Sequence, residues 1–284
     1  MRTRRSKVQI EQLRNQILCN LSDDHPQSVR HVFYRMTDPR LPEPVEKSDK
    51  GYRTVQSQLT NMRRDGCVPY NWITDATRRG YFVNTHEHPA DALKATAQFY
   101  RRSIWADTPD YVEVWCESRS IAGVIESVTS EYAIPLYPAG GFASLTLAFQ
   151  AAENIRHEAG DRPVHVIYIG DYDPAGVLID VKIEDELCEH LPDYEITFHR
   201  IAITPEQISL MGLPTKPVKA GDKRGSFIGE TVEAEAMQAS VMRQLLRDKI
   251  ESFIPKRAMA VMEAAEESER AILMGFADHL KEAM

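Results

Sequence analysis

Apolar residues recur at helical spacing from the start of the chain: Ile10, Leu13, Ile17, Leu18 and Leu21 line one face of a helix predicted over Val8 to Leu21. After Asp23-Asp24-His25-Pro26 the segment QSVRHVFYRMTD reads as a second helix, and the proline-rich PRLPEPVEKSDKG behind it reads as a loop. A third helix is expected from Tyr52 to Asp65, closed by Gly66, and CVPYNWITDATRR then has the β-branched and aromatic content of a short hairpin or wing. From Tyr111 the pattern alternates between strand and helix: YVEVWCE, SIAGVIESVTSEYA, IPLYPAG, SLTLAFQAAENIRHEAG, VHVIYIG, GVLIDVKIEDELCEHL, EITFHRIAI. Such alternation predicts an α/β fold, a parallel sheet flanked by helices, with ligands at the carboxyl ends of its strands. Thr204-Pro205-Glu206-Gln207 has the capping box and first-position proline of a further helix start, and the tail from Thr231 reads as almost wholly helical.

Composition changes this picture little and charge changes it more. A chain of 284 residues at 43% hydrophobic and 27% charged is ordinary globular material, enough for one large domain or two modest ones. The net charge of −8 argues against nucleic acid until it is divided. Residues 1 to 80 carry 15 Lys and Arg against 9 Asp and Glu, a net of +6, whereas the remainder carries 19 against 33, a net of −14. A basic module facing a polyanion and an acidic module holding cations would account for the asymmetry. Three short helices and a wing, with Arg53, Arg63, Arg64, Arg78 and Arg79 late in the unit, resemble a winged-helix DNA-binding domain. The basic start MRTRRSKVQIEQL lacks the apolar core of a signal peptide and no run is long enough to span a membrane, so a soluble, cytoplasmic, nucleoid-associated protein is expected. Cys19, Cys67, Cys116 and Cys188 lack CxxC spacing, and reduced thiols are the expectation.

Two strand ends carry acids. VEVWCES delivers Glu117, and GDYDPAG delivers Asp171 and Asp173. Carboxylates are the hard ligands Mg²⁺ prefers, and three of them converging at one sheet edge would repel one another without a cation. The competing expectation is that these acids cap helices, as single Asp residues after strands do.

A strand ending in Glu, a glycine turn after the second strand (AGGFAS) and a hydrophobic strand ending in DxD together resemble the Toprim domain of topoisomerases, primases and some nucleases. SVRHVFYRM in turn resembles the tyrosine-bearing segment of the DNA topoisomerase VI A subunit and the related meiotic double-strand-break proteins. Arg30 lies four residues before Tyr34, as in that family, which puts both on one helical face. The resemblance runs from Gln27 to the early 200s, and VEAEAM, Val232 to Met237, looks like a late acidic segment of the family's Toprim region. It implies a winged-helix domain over residues 1–105 carrying the tyrosine, and a Toprim domain with C-terminal helices over 106–284.

The resemblance further implies Mg²⁺-dependent cleavage and rejoining of double-stranded DNA through a 5′-phosphotyrosyl intermediate. Tyr34 would be the nucleophile, Arg30 its phosphate-holding partner, and Glu117, Asp171 and Asp173 the ligands of Mg²⁺ or a substituting Mn²⁺. A homodimer in which the tyrosine of one subunit serves the metal site of the other is also implied. The chain departs from the family in having Phe33 before Tyr34 rather than a second tyrosine, and Ser118-Arg119 after the first acid. It has no phosphate-binding GxxxxGK[ST] loop, AGDKRGSF being a poor match, so any ATP-driven step would need a separate ATPase subunit. A compact stand-alone relative from a prokaryote, phage or mobile element fits these features. Two other activities use the same residues: a Toprim nuclease hydrolysing DNA without a covalent intermediate, and a non-catalytic DNA-binding protein.

Other features weigh less. Tyr100, Trp105, Tyr111 and Trp115 are expected in the core rather than stacked on bases, His86 and His88 in a polar loop, and Glu113 too early in its strand to join the site.

Overall fold

The structure is a computed structural model and describes residues 5–74, 83–106, 108–141, 145–218, 228–255 and 258–282. Helix α1 (Lys7–Asp23) starts at a capping box formed by Ser6 and Gln9 and buries the stripe Leu13, Ile17 and Leu21. Helix α2 (Val29–Met36) is capped by Ser28 and α3 (Asp49–Arg64) by Ser48. Helix α3 buries Val55, Leu59 and Met62, and Gly66 follows it with φ of 75°. The segment expected to form a wing is a 3₁₀ turn, Tyr70–Trp72, followed by one parallel bridge from Ile73 to Gln27. Its continuation, with Arg78 and Arg79, lies outside the described residues.

Helix α4 (Pro89–Phe99) leads to the sheet. Strands β1 (Tyr111–Cys116), β2 (Leu136–Pro138), β3 (Val164–Ile169) and β4 (Ile196–Ala202) pair in the order β2-β1-β3-β4, all parallel. The crossovers are α5 (Arg119–Glu131), α6 (Leu145–Glu158) and α7 (Gly176–His190). After β4 come α8 (Pro205–Met211), with Thr204 and Gln207 forming the expected capping box, and the two-residue strands β5 (Lys216–Pro217) and β6 (Glu230–Thr231). Helices α9 (Ala239–Glu251) and α10 (Ala258–Glu282) complete the chain. The start of the tail departs from the helical expectation: Val232 bridges Tyr172, and Ala234–Ala236 is a 3₁₀ turn.

Strand alternation divides the core. Tyr111, Trp115, Val164, Val166 and Tyr168 face Ala151, Ala152 and Ile155 of α6 and Ile179, Ile183 and Leu187 of α7. Val112, Val114, Cys116, Ile167 and Ile169 join the opposite core with α5, α9 and the buried stripes of α1, α2 and α3. The amino-terminal helices therefore share one continuous apolar core with one face of the sheet. Arg243 of α9 ties the parts together, bonding Asp24 at 2.5 Å, the Pro26 carbonyl at 3.0 Å and the Val124 carbonyl at 3.4 Å. No helix among the described residues is long and apolar enough to cross a membrane.

Candidate functional site

The two central strands end side by side, and the acids predicted at their carboxyl ends are brought together there. The Glu117 N–H donates to the Ile169 carbonyl at 2.9 Å, which extends the β1–β3 ladder by one residue. Glu117 Oε2 then accepts from the Asp171 N–H at 2.8 Å. The glycine turn after β2 wraps the same residue, since the N–H groups of Gly140 and Gly141, at φ of 71° and 99°, donate to the Glu117 carbonyl at 2.9 and 3.1 Å. Asp171 Oδ1 accepts from the Ala234 N–H at 2.8 Å, which draws the late acidic segment onto the strand ends. Arg200 of β4 braces the turn, with its guanidinium on the Asp171 carbonyl and on Asp180 at 2.7 Å.

Gly176 leaves no room for a side chain in this turn: a Cβ there would lie 2.3 Å from the Asp171 carbonyl oxygen. Gly176→Ala is expected to lower the free energy of unfolding by about 1–3 kcal/mol, measured by urea denaturation, because the backbone carrying Asp171 must shift.

Asp173, the third expected ligand, lies close enough for its charge to act on Glu117, and it also serves the backbone. Its Oδ1 accepts from the N–H groups of Ala175 at 2.9 Å and Gly176 at 2.6 Å. The carboxylate thus satisfies the free donors at the start of α7, a capping use. Glu235 is the acid that sequence reasoning left out of the site. It is buried, with one oxygen 4.0 Å from the Arg30 guanidinium. Burial pushes Asp171 up to about 8, and the charges of Glu117 and Glu235 add to the shift. Glu117 is raised by burial and by Asp173 and Glu235, and Glu235 is raised by burial. Among the described residues no three His, Cys, Asp or Glu side chains stand in a metal-holding arrangement.

Tyr34 and Arg30 come to this same place. Helix α2 packs on the 3₁₀ turn at Ala234–Ala236, with Arg35 donating to the Ala236 carbonyl at 3.0 Å. Arg30 reaches Glu233 Oε2 at 2.5 Å. Lys216 Nζ bridges the two partners, 3.2 Å from Tyr34 Oη and 2.6 Å from Glu233 Oε1. Lys47 stands 5.3 Å over the tyrosine ring and is anchored on the carbonyls of Pro214 and Thr215. Burial raises the Tyr34 phenol far above its ordinary range, and the charge and hydrogen bond of Glu233 raise it further. Burial also acts to raise Glu233, but hydrogen bonds from Lys216, Tyr34 and Arg30 outweigh it and bring the carboxyl to about 2. These partners all belong to one chain, whereas the resemblance implies that the tyrosine serves another subunit's acids.

Tyr34 also lies on the wall of a groove of about 1170 Å³ between α1, α2 and the Met211–Pro214 segment. Gln12, Asn15, Gln16 and Asn20 line the far side.

The remaining expected residues are spread out. Arg53 and Arg64 are exposed on α3, and Arg63 stacks on Tyr70, 4.6 Å from its centroid. Trp105, Tyr111 and Trp115 are buried, and His86 and His88 are exposed. Glu113 is fully buried between the sheet and its covering helices, away from the strand ends. The four cysteines are free.

Of the residues missed, Glu233 and Glu235 had a signal in VEAEAM. Lys216 had none, because an isolated lysine in PTKP carries no periodicity or motif. No family model, no curated protein and no solved structure matches the chain.

Proposed function

We propose that the protein cuts and rejoins DNA by transesterification, with Tyr34 as the nucleophile. The observation that carries this is the meeting of a tyrosine hydroxyl, three cations (Arg30, Lys47 and Lys216) and the acids at two strand ends within one chain. A phenol needs positive charge and a proton acceptor nearby to attack phosphorus at neutral pH, and both stand beside Tyr34. Attack on a phosphodiester leaves a 5′-phosphotyrosyl bond and a free 3′ hydroxyl, and because the bond energy is kept the strand can be resealed without ATP. Arg30, half-exposed at the mouth of the site, suits the scissile phosphate. Arg53 and Arg64 suit sequence-independent contacts with the DNA backbone.

Mg²⁺ fits the donors at the strand ends. Glu117, Asp171 and Asp173 each use one oxygen on backbone N–H groups and keep a second outside those bonds, and the repulsion among them is what a bound cation would relieve. Two carboxylates plus water and substrate phosphate is a usual Mg²⁺ set. The ion would neutralise and orient the phosphate, and Mn²⁺ would substitute. Adding Mg²⁺ to chelator-treated protein at pH 8 is expected to raise its Tm by about 2 °C or more. The double variant Glu117→Gln/Asp171→Asn is expected to lose that response. An equal rise in the variant assigns the ion elsewhere.

The activity itself is tested by incubating the protein with supercoiled plasmid and Mg²⁺, then stopping with detergent, with and without protease. DNA linked to protein and freed only by protease is the expected result. Cut DNA without linkage would mean hydrolysis by the same acids, and uncut DNA would reduce the protein to a DNA binder.

A further inference from the structure

Strand transfer by tyrosine leaves open where the proton of the phenol goes, and the side chains around Tyr34 single out one acceptor. Glu233 is the carboxylate joined to the phenol through a shared partner: Lys216 Nζ stands 3.2 Å from Tyr34 Oη and 2.6 Å from Glu233 Oε1. The other groups facing Glu233 are Arg30 at 2.5 Å from α2, Lys47 from the loop after α2, Glu235 from its own 3₁₀ turn, and Asp171 from the end of β3.

We propose that Glu233 takes the proton of Tyr34, and that the phosphodiester itself switches Glu233 on by drawing Arg30 away from it. This rests on the strand-transfer function above and adds a residue to it. In the free protein both Arg30 and Lys216 are spent on Glu233, which makes it a weak base and leaves the phenol protonated. A phosphate is a stronger competitor for a guanidinium than a carboxylate already shared with an ammonium, since it offers two oxygens in the matching fork geometry. Once Arg30 turns to the phosphate, Glu233 keeps one cation instead of two and its basicity rises. Lys216 remains on Tyr34 Oη and offsets the charge that develops there.

The step balances without any other reactant. The Oη–H bond breaks and its proton passes to Glu233. An Oη lone pair forms the bond to phosphorus, and the P–O3′ bond breaks with its electron pair left on O3′. That oxygen recovers the proton from Glu233. Rejoining is the same path reversed. Tyr34 is thus unreactive until DNA is in place, a safeguard for a protein whose product is a broken strand.

The test follows protein–DNA adduct formation on supercoiled plasmid with Mg²⁺ from pH 6.5 to 9.5, in the wild type, Tyr34→Phe and Glu233→Gln, with DNA affinity measured for each. The wild type is expected to gain with pH only while Asp171, pushed up to about 8, gives up its proton, and to level off above that. Glu233→Gln is expected to be slower by about 100-fold or more at pH 7. It should recover about tenfold per pH unit as hydroxide replaces the missing base, at a DNA Kd within a few-fold of wild type. A Glu233→Gln profile parallel to the wild type, or an undiminished rate, overturns the assignment while leaving the tyrosine chemistry intact. No adduct in the wild type overturns the strand-transfer function and this inference together. If Glu233→Gln has no cooperative melting transition, Glu233→Asp decides. It keeps the charge for Arg30 and Lys216 but draws the base back, so a rate at least tenfold lower at unchanged DNA affinity supports the role, and a wild-type rate overturns it.

Discussion

Tyr34→Phe is expected to abolish covalent attachment to DNA, by at least about a thousandfold, the scale on which loss of a nucleophile reads out, while leaving folding and DNA binding nearly intact. The substitution removes one oxygen and nothing else. The ring stays buried beside Phe33, whose centroid is 5.3 Å away, and Lys47 keeps its place over the ring face. Lys216 loses one acceptor but keeps Glu233 at 2.6 Å, so its ammonium is not left unpaired. The stability change is therefore about 1 kcal/mol in either direction, the net worth of one hydrogen bond. DNA affinity depends on the cations and should change by less than about threefold. Detergent-stable adduct is counted on supercoiled plasmid with Mg²⁺, and melting and DNA affinity are measured on the same preparations. Attachment undiminished in Tyr34→Phe would sink the nucleophile assignment. Loss of attachment together with loss of the melting transition would mean that the hydroxyl serves the core.

Glu113→Gln is expected to make the protein more stable above neutral pH and to leave it unchanged near pH 4.5. Glu113 sits on β1 with no exposed surface, one carboxyl oxygen 2.5 Å from the Trp115 indole nitrogen and the other without a hydrogen-bond partner. Burial pushes it up to about 8 from an ordinary 4.5, against a smaller downward pull from the Trp115 hydrogen bond. The folded state thus binds the proton more tightly than the unfolded chain. Its contribution is fully present below pH 4.5 and is lost as pH rises to about 8, a change on the order of 5 kcal/mol. Glutamine keeps an oxygen for the Trp115 donor and cannot ionise, so the variant lacks that loss. Melting temperatures from pH 4.5 to 9 should diverge progressively in favour of the variant. Parallel curves would mean that Glu113 is not ionising within the fold. The carboxyl has no role in the chemistry proposed here, and attachment to DNA is expected to be unaffected at pH 7.

How much was legible in the chain follows from the range of the forces involved. The four strands and three crossover helices were readable because an apolar run bounded by turns, and an apolar stripe at helical spacing, are local signals that burial then satisfies. The capping boxes at Ser6 and Thr204 act over four residues and need no tertiary partner, and Thr204-Pro205-Glu206-Gln207 was read in advance on that ground. Glu117 and Asp171 were legible as strand-end acids because a parallel sheet delivers the ends of its central strands to one edge. Asp173 was not separable from them. Whether a carboxylate four residues past a strand also caps its own helix start depends on the path of the turn, and that path is set by Gly176 packed against the Asp171 carbonyl and by Arg200 arriving from β4. In the described part of the segment expected to form a wing, aromatic and β-branched residues favour strands only when a partner strand is present, and Ile73 finds a single bridge to Gln27.

What the sequence determined by itself is the α/β alternation, the acids at two strand ends, and a helix bearing Arg30 and Tyr34 on one face. What only the tertiary structure decided is that these belong to one site. Lys216 on a two-residue strand and Glu233 at the start of a 3₁₀ turn lie 17 residues apart without a periodic pattern, and about 200 residues separate Arg30 from Glu233. Such contacts leave no trace in local spacing. They form because α2 packs on the turn at Ala234–Ala236 while Asp171 hydrogen-bonds the backbone of that turn from the other side. Two sets of chemically suggestive residues thereby meet as a tyrosine, carboxylates and cations in one place.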